Sequence, residues 1–511
     1  MSLVGGDWLG RRERLSPSAI ALHDGADGPA LTYRQWNRQV NRSARLLAGL
    51  GLQRGDRLAV LAKNSIAYLD LFFACQKLGA ILQALNWRLA HRELAAILEG
   101  GAPTIVAYDR DFAGAIAGLR AEGAAGLAGV AAYLAIDGAA LSHPDDVPLA
   151  RRDREDDAPP PAIEVTADDP WVLCYTGGTT GTPKGAVLTH GTITWNAIGT
   201  VASWGLRADD VAILNAPLFH TGGLNVFTAP LVFCGGASIV CREFDAGEVL
   251  ELCDRRGVTL FFGVPTMFSA LLQHPRIDAV DLSRLRILIS GGAPCPLPIF
   301  EAFWARGAPF SSGYGLTEAG PNNFWLPPEE VKRRPGSVGA PLMHVDLRIV
   351  DEAGDEVAAD TVGELWLRGP HVCAGYWGHP EASAAAIQGG WLHTGDLCRR
   401  DADGYVTIVG RRKDMFISGG ENVYPAEVEG VLAGHPEVLE VAVIGVADPH
   451  WGEVGRAFVV ARPGLDPAAL LAWARERLAR YKVPKAAVIV DALPRTGAGK
   501  IDKKRLAEGA T

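Results

Sequence analysis

The chain has 511 residues, more than the roughly 250–300 at which a single hydrophobic core stops growing, so two or three domains are expected. Hydrophobic residues make up 48% of the chain, a share that favours a packed globular protein over general disorder. The net charge of −9 argues against a nucleic-acid-binding protein, because such proteins usually carry a basic face.

The start of the chain and the cysteines predict a cytoplasmic protein without a transmembrane segment. Residues 1–17 lack the apolar core of a secretory signal, and apolar runs such as 71–75 and 441–444 are far shorter than the ~20 residues that cross a bilayer. The eight cysteines form no C-x-x-C pair and show no zinc spacing with histidine, so reduced and mostly buried thiols are expected. Peripheral membrane contact and a homodimer are both compatible with the sequence.

Short apolar strands alternate with helical patterns along most of the chain. A helix is predicted over residues 67–82, and the charged, proline-containing residues 151–169 are predicted to form an exposed connection. Nearly continuous apolar strands separated by helices predict α/β layers with largely parallel sheets. The predicted strands are residues 57–62, 104–108, 171–175, 186–189, 211–214, 238–241, 259–262 and 286–289.

After residue 361 the pattern becomes rich in β-structure. Strands are predicted at residues 363–368, 404–409 and 441–444, and helices at 425–432 and 468–480. We place a domain boundary at the charged run 411–414. The expected fold is therefore α/β, with a large N-terminal domain of layered α/β subdomains (1–412) and a small α+β C-terminal domain (413–511).

The strongest local signal is the segment 175–185, which lies between two predicted strands. Four glycines and four threonines surround one lysine, Lys184. Glycines let successive backbone N–H groups turn toward an anion, hydroxyls add donors, and lysine brings a compact positive charge. Pro183 and Gly185 flank the lysine, so this is not a Walker A loop, which requires Gly-Lys-Ser/Thr. The segment predicts a phosphate-binding loop, because a flexible surface turn would not explain the threonines.

This segment resembles the signature loop of the adenylate-forming superfamily, which includes acyl-CoA synthetases, adenylation domains of peptide synthetases, and luciferases. Gly177 stands where many members have serine, although a glycine there is also similar to some bacterial fatty-acid ligases. The resemblance implies that the loop binds ATP and that a threonine, Thr176, also ligates Mg²⁺. The implied ATP-binding residues of the loop are Thr176, Gly177, Gly178, Thr179, Thr180, Gly181 and Lys184.

Three further motifs follow in the order that the family shows. Residues 217–223 resemble the motif that forms part of the acyl pocket. Three roles are open for His220 in this motif: it acts in catalysis, it gates or lines the pocket, or it is an ordinary core residue. In residues 313–318, Thr317 is implied to bond the α-phosphate and Glu318 to bind Mg²⁺. The remaining motif is residues 290–294. Together with residues 313–318 it supplies the residues implied to contact adenine or the acyl group, which are Gly291, Gly292, Ala293, Pro294, Tyr314 and Gly315. Tyr314 offers a flat face to adenine.

The motifs at 391–397 and 410–425 extend the resemblance toward the C-terminus. Asp396 is implied to accept both ribose hydroxyls, since an ionised carboxylate offers two acceptor oxygens, and Arg411 is implied to reach the same ribose. Lys413 falls at the hinge about which the family's mobile C-terminal domain rotates. Gly419 and Gly420 are implied to shape the tunnel for the pantetheine arm of coenzyme A.

A glycine-flanked loop near the C-terminus contains Lys500, which resembles the lysine that enters the active site for adenylation. A cation there would neutralise charge that develops at the α-phosphate. Trp451 and Tyr481 lie where some relatives contact coenzyme A, although burial in the core explains either ring equally well.

These motifs together predict an ATP-dependent acyl-CoA ligase that uses ATP, Mg²⁺ and coenzyme A. Small and apolar residues in the implied pocket favour a fatty acid of medium or long chain, and an aryl or succinylbenzoate-type acid is the alternative. A peptide-synthetase adenylation domain is disfavoured, because residues 218–221 lack the aspartate that holds an amino group. A luciferase-type oxygenase and a non-catalytic nucleotide- or acyl-CoA-binding protein remain as remote alternatives.

Overall fold

A computed structural model describes residues 6–136, 141–176, 183–496 and 500–509. Four β-sheets organise these residues, and we number them I to IV. Helices cover the sheets and bury their apolar faces. The α-helices are Trp8–Leu15, Tyr33–Gly49, Ile66–Leu78, His91–Gly101, Ala113–Ala121, His190–Trp204, Thr221–Gly223, Ala229–Cys234, Ala246–Arg255, Pro265–Gln273, Leu297–Ala305, Pro328–Val331, Pro380–Ala386, Pro425–Ala433, Pro467–Arg475 and Lys503–Glu508.

Sheet I is parallel except for its last strand, which forms an antiparallel pair with its neighbour. In spatial order its strands are Val147–Pro148, Ala132–Ala135, Ile105–Tyr108, Arg57–Leu61, Ile81–Ala84, Pro170–Thr176 and Lys184–Thr189. Trp171 anchors the strand that leads into the predicted phosphate loop. Its ring stacks on Phe72 at 4.4 Å and on His190 at 5.0 Å, and its indole N–H donates to the Phe72 carbonyl.

Sheet II repeats this design, with an antiparallel strand only at one edge. Its strands in spatial order are Phe310–Ser312, Ile287–Ser290, Leu260–Gly263, Val211–Leu214, Ala237–Val240, Ile20–Asp24 and Ala30–Thr32. Parallel strands place their carboxyl ends at one edge of the sheet, which is where ligands of α/β proteins usually bind. Several of the predicted site residues follow these strand ends.

Sheets III and IV are mainly antiparallel, so the prediction of largely parallel sheets holds for sheets I and II only. The one parallel pair that the structure describes in these two sheets, Gly452–Ala461 with Ala486–Ile489, is also the pair with the helix Pro467–Arg475 in its connection, as a parallel crossover requires. Sheet III contains Phe324–Trp325, Ser337–Pro341, Val406–Arg411, Trp391–Arg400, Gly363–Arg368 and Asp346–Val350, with Ile387–Gln388 paired to Trp391–Arg400. Sheet IV contains Glu421–Val423, Phe416–Ser418, Gly452–Ala461 and Val438–Asp448, with Ala486–Ile489 paired to Gly452–Ala461.

Two predicted helices are longer than the observed ones. The helix predicted over 67–82 ends at Leu78, because Gly79 adopts a left-handed φ of 61° and the following apolar residues form the buried strand Ile81–Ala84. The helix predicted over 468–480 ends at Arg475. The apolar run after Gly79 fits a strand as well as a helix by composition, so only the glycine could have marked the end.

The cysteines agree with the sequence prediction of reduced and mostly buried thiols. All eight cysteines are free thiols and six of them are buried. Among the helices of the described ranges, none combines the length and the apolar character that crossing a bilayer demands.

Candidate active site

The strands on either side of the predicted phosphate loop form a hairpin. Thr176 pairs with Lys184 in the antiparallel register, and the Thr176 hydroxyl lies 3.5 Å from the Lys184 carbonyl. The two ends of the loop are thus held side by side. The predicted loop residues between them, Gly177, Gly178, Thr179, Thr180 and Gly181, lie outside the described residues.

Tyr376 links the hairpin to Glu318, and the sequence analysis missed it. Its hydroxyl donates a 2.8 Å hydrogen bond to the Glu318 carboxylate, and the Lys184 ammonium lies 5.7 Å from the centre of its ring. Burial and the neighbouring Glu318 charge raise the pKa of Tyr376, so the phenol stays a donor. An isolated β-bridge between Ala186 and Tyr376 holds the ring in place.

Asp396 and Arg411 are cross-strand neighbours in sheet III. The Arg411 Nε lies 3.0 Å from one oxygen of Asp396, and the Tyr314 hydroxyl donates a 2.6 Å hydrogen bond to the other. The Tyr314 ring packs edge-on against Phe324 at 5.7 Å. Residues from three motifs, 313–318, 391–397 and 410–425, therefore meet at one carboxylate.

Lys500 is electrostatically coupled to the same cleft. The residue keeps contact with solvent, yet crowding around its ammonium lowers the pKa of Lys500 by desolvation. Arg411 and Lys413 lower this pKa further, whereas Asp396 and Glu318 raise it. The charges of Asp396, Glu318 and Arg411, which are predicted to bind the nucleotide or its metal ion, thus act on the predicted adenylation lysine.

His220 lies at the start of the helix Thr221–Gly223 and is half-buried. Burial lowers the pKa of His220 to about 4, and the positive charges of Lys500 and Arg88 contribute to the same shift. The imidazole is therefore neutral near pH 7 and serves as a hydrogen-bonding or packing group rather than as a cation. Arg88, whose guanidinium lies 5.6 Å from the Phe219 ring centre, is a further site residue that the motifs did not assign.

Phe262 lies between two of the glycines of the predicted acyl pocket. A Cβ atom added at Gly291 would lie 3.0 Å from its ring, and one added at Gly222 would lie 3.2 Å from its opposite edge. Glycine is therefore required for close contact at both positions. Beside the ring lies a cavity of about 10 Å³, whose lining includes Asn215, Gly222, Val226, Thr228, Ser238 and Phe262. Sequence analysis found the glycines but missed Phe262 and Asn215.

The residues predicted to contact adenine follow strand ends of sheet II. Gly291, Gly292, Ala293 and Pro294 come directly after Ile287–Ser290, and Gly292 has a φ of 79° that favours glycine. Gly315 packs so tightly that an added Cβ would lie 2.1 Å from the Pro321 carbonyl oxygen. Thr317 and Glu318 lie in the short helix Thr317–Ala319, which packs against both strands of the phosphate-loop hairpin.

The residues predicted to contact coenzyme A cluster on the C-terminal domain. Gly419 has a φ of 61°, and an added Cβ would lie 2.7 Å from the Trp451 ring. Trp451 and Tyr481 are 42% and 37% exposed, which rules out core burial for both rings. Gly420 is also exposed. Lys413 is exposed in a short helical turn, Arg412–Asp414, between the last strand of sheet III and the first of sheet IV.

The donor set near Glu318 fits Mg²⁺ that arrives with a nucleotide. Within the described ranges, no group of three or more His, Cys, Asp or Glu side chains is arranged to hold a metal ion. Mg²⁺ usually binds one or two protein carboxylates together with phosphates and water, so a dedicated protein cage is not required. Glu318 offers such a carboxylate, and the Thr176 hydroxyl is a second oxygen donor.

This arrangement defines a two-domain α/β protein with a lysine from the small domain facing acidic residues of the large one. The chain matches the AMP-binding enzyme family over residues 10–377 and the AMP-binding enzyme C-terminal domain over residues 427–500. The chain therefore belongs to the AMP-binding enzyme family, and the resemblance stated from the motifs is confirmed. It is an acid–thiol ligase of the AMP-forming acyl-CoA synthetase type and uses ATP and coenzyme A.

Proteins that are similar to this chain over nearly their whole length include CoA ligases. A feruloyl-CoA synthase of Amycolatopsis sp is 44% identical over 98% of this chain and 97% of its own. An indoleacetate–CoA ligase of Aromatoleum aromaticum is 37% identical over 97% of this chain and 96% of its own. The long-chain-fatty-acid–CoA ligase FadD13 of Mycobacterium tuberculosis is 36% identical over 98% of this chain and 97% of its own. The ATP-bound structure of MatB from Rhodopseudomonas palustris matches 99% of both chains at a TM-score of 0.88 and 34% identity.

Proposed function

We propose that this ligase activates an aromatic carboxylic acid, first as an acyl-adenylate and then as a coenzyme A thioester. The observation that carries the proposal is the Phe262 ring, which lies against both Gly222 and Gly291 of the predicted acyl pocket. An aromatic face at this place suits the planar ring of an aromatic acid.

The similarity to known ligases supports the same preference. Identity is 44% with the feruloyl-CoA synthase, against 36% with the long-chain-fatty-acid ligase. The aryl-acid alternative from the sequence therefore replaces the medium- or long-chain fatty acid as the main reading. The glycines at 222 and 291 let the Phe262 ring lie against the backbone of the predicted acyl pocket.

In our proposal, the ATP-binding residues of the sequence analysis keep their roles. The hairpin around Lys184 and the Mg²⁺-binding oxygens of Thr176 and Glu318 hold the phosphates, and Mg²⁺ neutralises charge on them when it is bound. Asp396 retains free lone pairs for the two ribose hydroxyls after its contacts with Arg411 and Tyr314. The adenine would lie against Tyr314, Gly315, Gly292, Ala293 and Pro294.

The first half-reaction joins the substrate carboxylate to the α-phosphorus of ATP. A carboxylate oxygen attacks, the bond from the α-phosphorus to the bridging oxygen breaks, and pyrophosphate leaves with the electron pair. Lys500 and Thr317 stabilise the negative charge that develops on the α-phosphoryl oxygens. Neutral His220 lies beside the pocket and positions the acid without competing for the nucleotide's charge.

The second half-reaction transfers the acyl group to the thiol of coenzyme A. The thiol loses its proton, the sulfur attacks the acyl carbon, and AMP leaves. We propose that the C-terminal domain, residues 413–511, rotates about Lys413 against residues 1–412 between the two halves. This motion would remove Lys500 and bring Gly419 and Gly420 toward the pantetheine arm. The exposed rings of Trp451 and Tyr481 would flank coenzyme A.

A panel of acids tests this proposal through pyrophosphate release, measured with and without coenzyme A. Cinnamic, 4-hydroxycinnamic, phenylacetic and benzoic acids should support release, whereas decanoic and palmitic acids should support far less. Turnover of the fatty acids alone would refute the aromatic assignment. Pyrophosphate release that does not depend on any acid would refute the ligase mechanism itself.

A cytoplasmic location and a homodimer remain predictions from the sequence.

A further inference from the structure

Asn215 is a buried polar residue in the lining of the cavity beside Phe262. It follows the strand Val211–Leu214 directly, and only 2% of its surface is exposed. Its side-chain oxygen, Oδ1, has no hydrogen-bond partner among the described residues. A buried acceptor without a partner costs free energy, so its presence in a pocket wall points to a ligand that supplies the donor.

The orientation of this amide follows from its other contact. The Asn215 nitrogen, Nδ2, lies 3.7 Å from the thioether sulfur of Met267. A thioether accepts hydrogen bonds weakly and cannot donate, so the nitrogen must face the sulfur. Met267 is not part of the cavity wall. The oxygen is therefore the amide atom that is free to meet a ligand.

The remaining polar wall of the cavity also favours a donor on the ligand. The Thr228 hydroxyl donates a 2.6 Å hydrogen bond to the Gly223 carbonyl, so its proton is already used and its lone pairs remain. Ser238 adds a buried hydroxyl nearby. Among the described residues that line the cavity, none is Asp, Glu, Lys, Arg or His. A charged group would be desolvated there without a counter-ion, so the donor must be neutral.

We infer that Asn215 determines specificity by accepting a hydrogen bond from a neutral donor on the ring of the aromatic acid. A phenolic hydroxyl that projects from the ring is the simplest such group, and its size fits a cavity of about 10 Å³, which has room for one water-sized group. The inference rests on the proposed function, because it assigns the far end of the same acyl cavity. Position supports it, since the Phe262 ring, which lines this cavity, also lies against Gly291 of the predicted acyl pocket.

The test compares kcat/KM for 4-hydroxycinnamic and cinnamic acids in the wild-type enzyme and in Asn215→Leu. The wild type should prefer the hydroxylated acid by about tenfold, the effect of one well-formed hydrogen bond to a buried acceptor. Asn215→Leu should bring this ratio close to one, whatever its absolute kcat/KM for cinnamic acid. 4-Methoxycinnamic acid, which has no donor, should show no preference over cinnamic acid in the wild type.

Asn41→Leu is a matched control outside the cavity. Asn41 is also buried with an unpartnered Oδ1, but its amide nitrogen donates to the Asp157 carbonyl at 2.8 Å and it lies on the helix Tyr33–Gly49. This variant should lose stability without changing the substrate ratio. Asn215→Leu should melt no lower than the wild type, because it removes an unsatisfied polar atom.

The outcomes separate this inference from the proposed function. If both aromatic acids are substrates and Asn215→Leu slows them equally, Asn215 has only a structural role and the inference is overturned, while the proposed function stands. A wild-type enzyme without preference for the hydroxyl would also overturn it. If neither aromatic acid is activated and fatty acids are, both the function and the inference fail.

Discussion

Arg411 lies directly across sheet III from Asp396, and its Nε is 3.0 Å from the Asp396 Oδ1. The Tyr314 hydroxyl occupies the other oxygen at 2.6 Å. The side chain of Asp396 is only 6% exposed, so these two contacts fix its carboxylate and leave lone pairs directed into the cleft. A rigid acceptor of this kind suits the paired hydroxyls of a ribose.

Replacing Asp396 with Asn should therefore weaken ATP binding. The change keeps the size of the side chain but removes its charge, which leaves Arg411 without its ion-pair partner. We expect KM for ATP to rise about tenfold to a hundredfold, since hydrogen bonds to a charged acceptor contribute about 1.5–3 kcal/mol. Pyrophosphate release at varied ATP concentration measures this change.

Asp346→Asn is the control for this prediction. Asp346 pairs with Arg368 across the same sheet at 2.9 Å, but both side chains are at least half exposed, so little should change. An equal effect of the two variants, or a rise in KM for the acid rather than for ATP, would contradict the ribose assignment of Asp396.

Tyr376→Phe should reduce adenylation by loosening Glu318. The variant removes the 2.8 Å hydrogen bond to the carboxylate but keeps the ring beside Lys184. Partners that orient a metal-binding side chain typically contribute about 10- to 100-fold, so we expect about a tenfold loss and a higher Mg²⁺ requirement. The measurement is the Mg²⁺ dependence of pyrophosphate release. Tyr405→Phe is the control, and an unchanged Mg²⁺ requirement in Tyr376→Phe would reject the positioning role.

The sequence motifs located most of this site but not the contacts that position it. Asp396, Arg411 and Lys500 have recognisable neighbours in sequence, so their meeting could be expected. Tyr376 enters through one isolated bridge to Ala186, and no local pattern marks such a bridge. Asn215 looks like any polar residue at a strand end, and only its unfilled acceptor in three dimensions sets it apart. The antiparallel sheets were missed for the same reason, because tertiary packing decides them.

Lys500→Ala should separate the two half-reactions. Formation of the acyl-adenylate should fall by about 10²–10³-fold, the usual effect of removing one group that stabilises developing charge. Transfer of the acyl group from supplied acyl-adenylate to coenzyme A should be spared, because in our proposal Lys500 acts only on the α-phosphoryl group. Separate assays of the two steps decide this. An equal loss in both would refute the division of labour, and Lys504→Ala, an exposed neighbour, is the control.

Lys500 should also set an alkaline limit on adenylation. Desolvation lowers the pKa of Lys500, so its positive charge is present at low pH and is lost as the pH rises through that lowered value. We expect kcat/KM for ATP, which reports the free enzyme, to decline at a pH below the ordinary lysine value. Lys500→Arg keeps its charge at all accessible pH values. The variant should therefore lose this decline, whatever its absolute rate, and a decline at the same pH in both enzymes would assign it to another group.

His190 should make the fold sensitive to acid. Its ring is 1% exposed, stacks on Trp171, and has a pKa that burial lowers to about 4. The unfolded chain binds a proton near pH 6.5 while the folded chain does not, so stability is full above this pH and falls as the pH drops toward 4. His190 lowers the free energy of unfolding in acid by about 3 kcal/mol, since each unit of pKa difference corresponds to about 1.4 kcal/mol. Urea unfolding at pH 7.5 and 5 should show a smaller loss for His190→Phe, which keeps the stacked ring, than for the wild type. The exposed control His379→Phe should behave as the wild type, and equal acid loss in His190→Phe would show that this histidine is not the source.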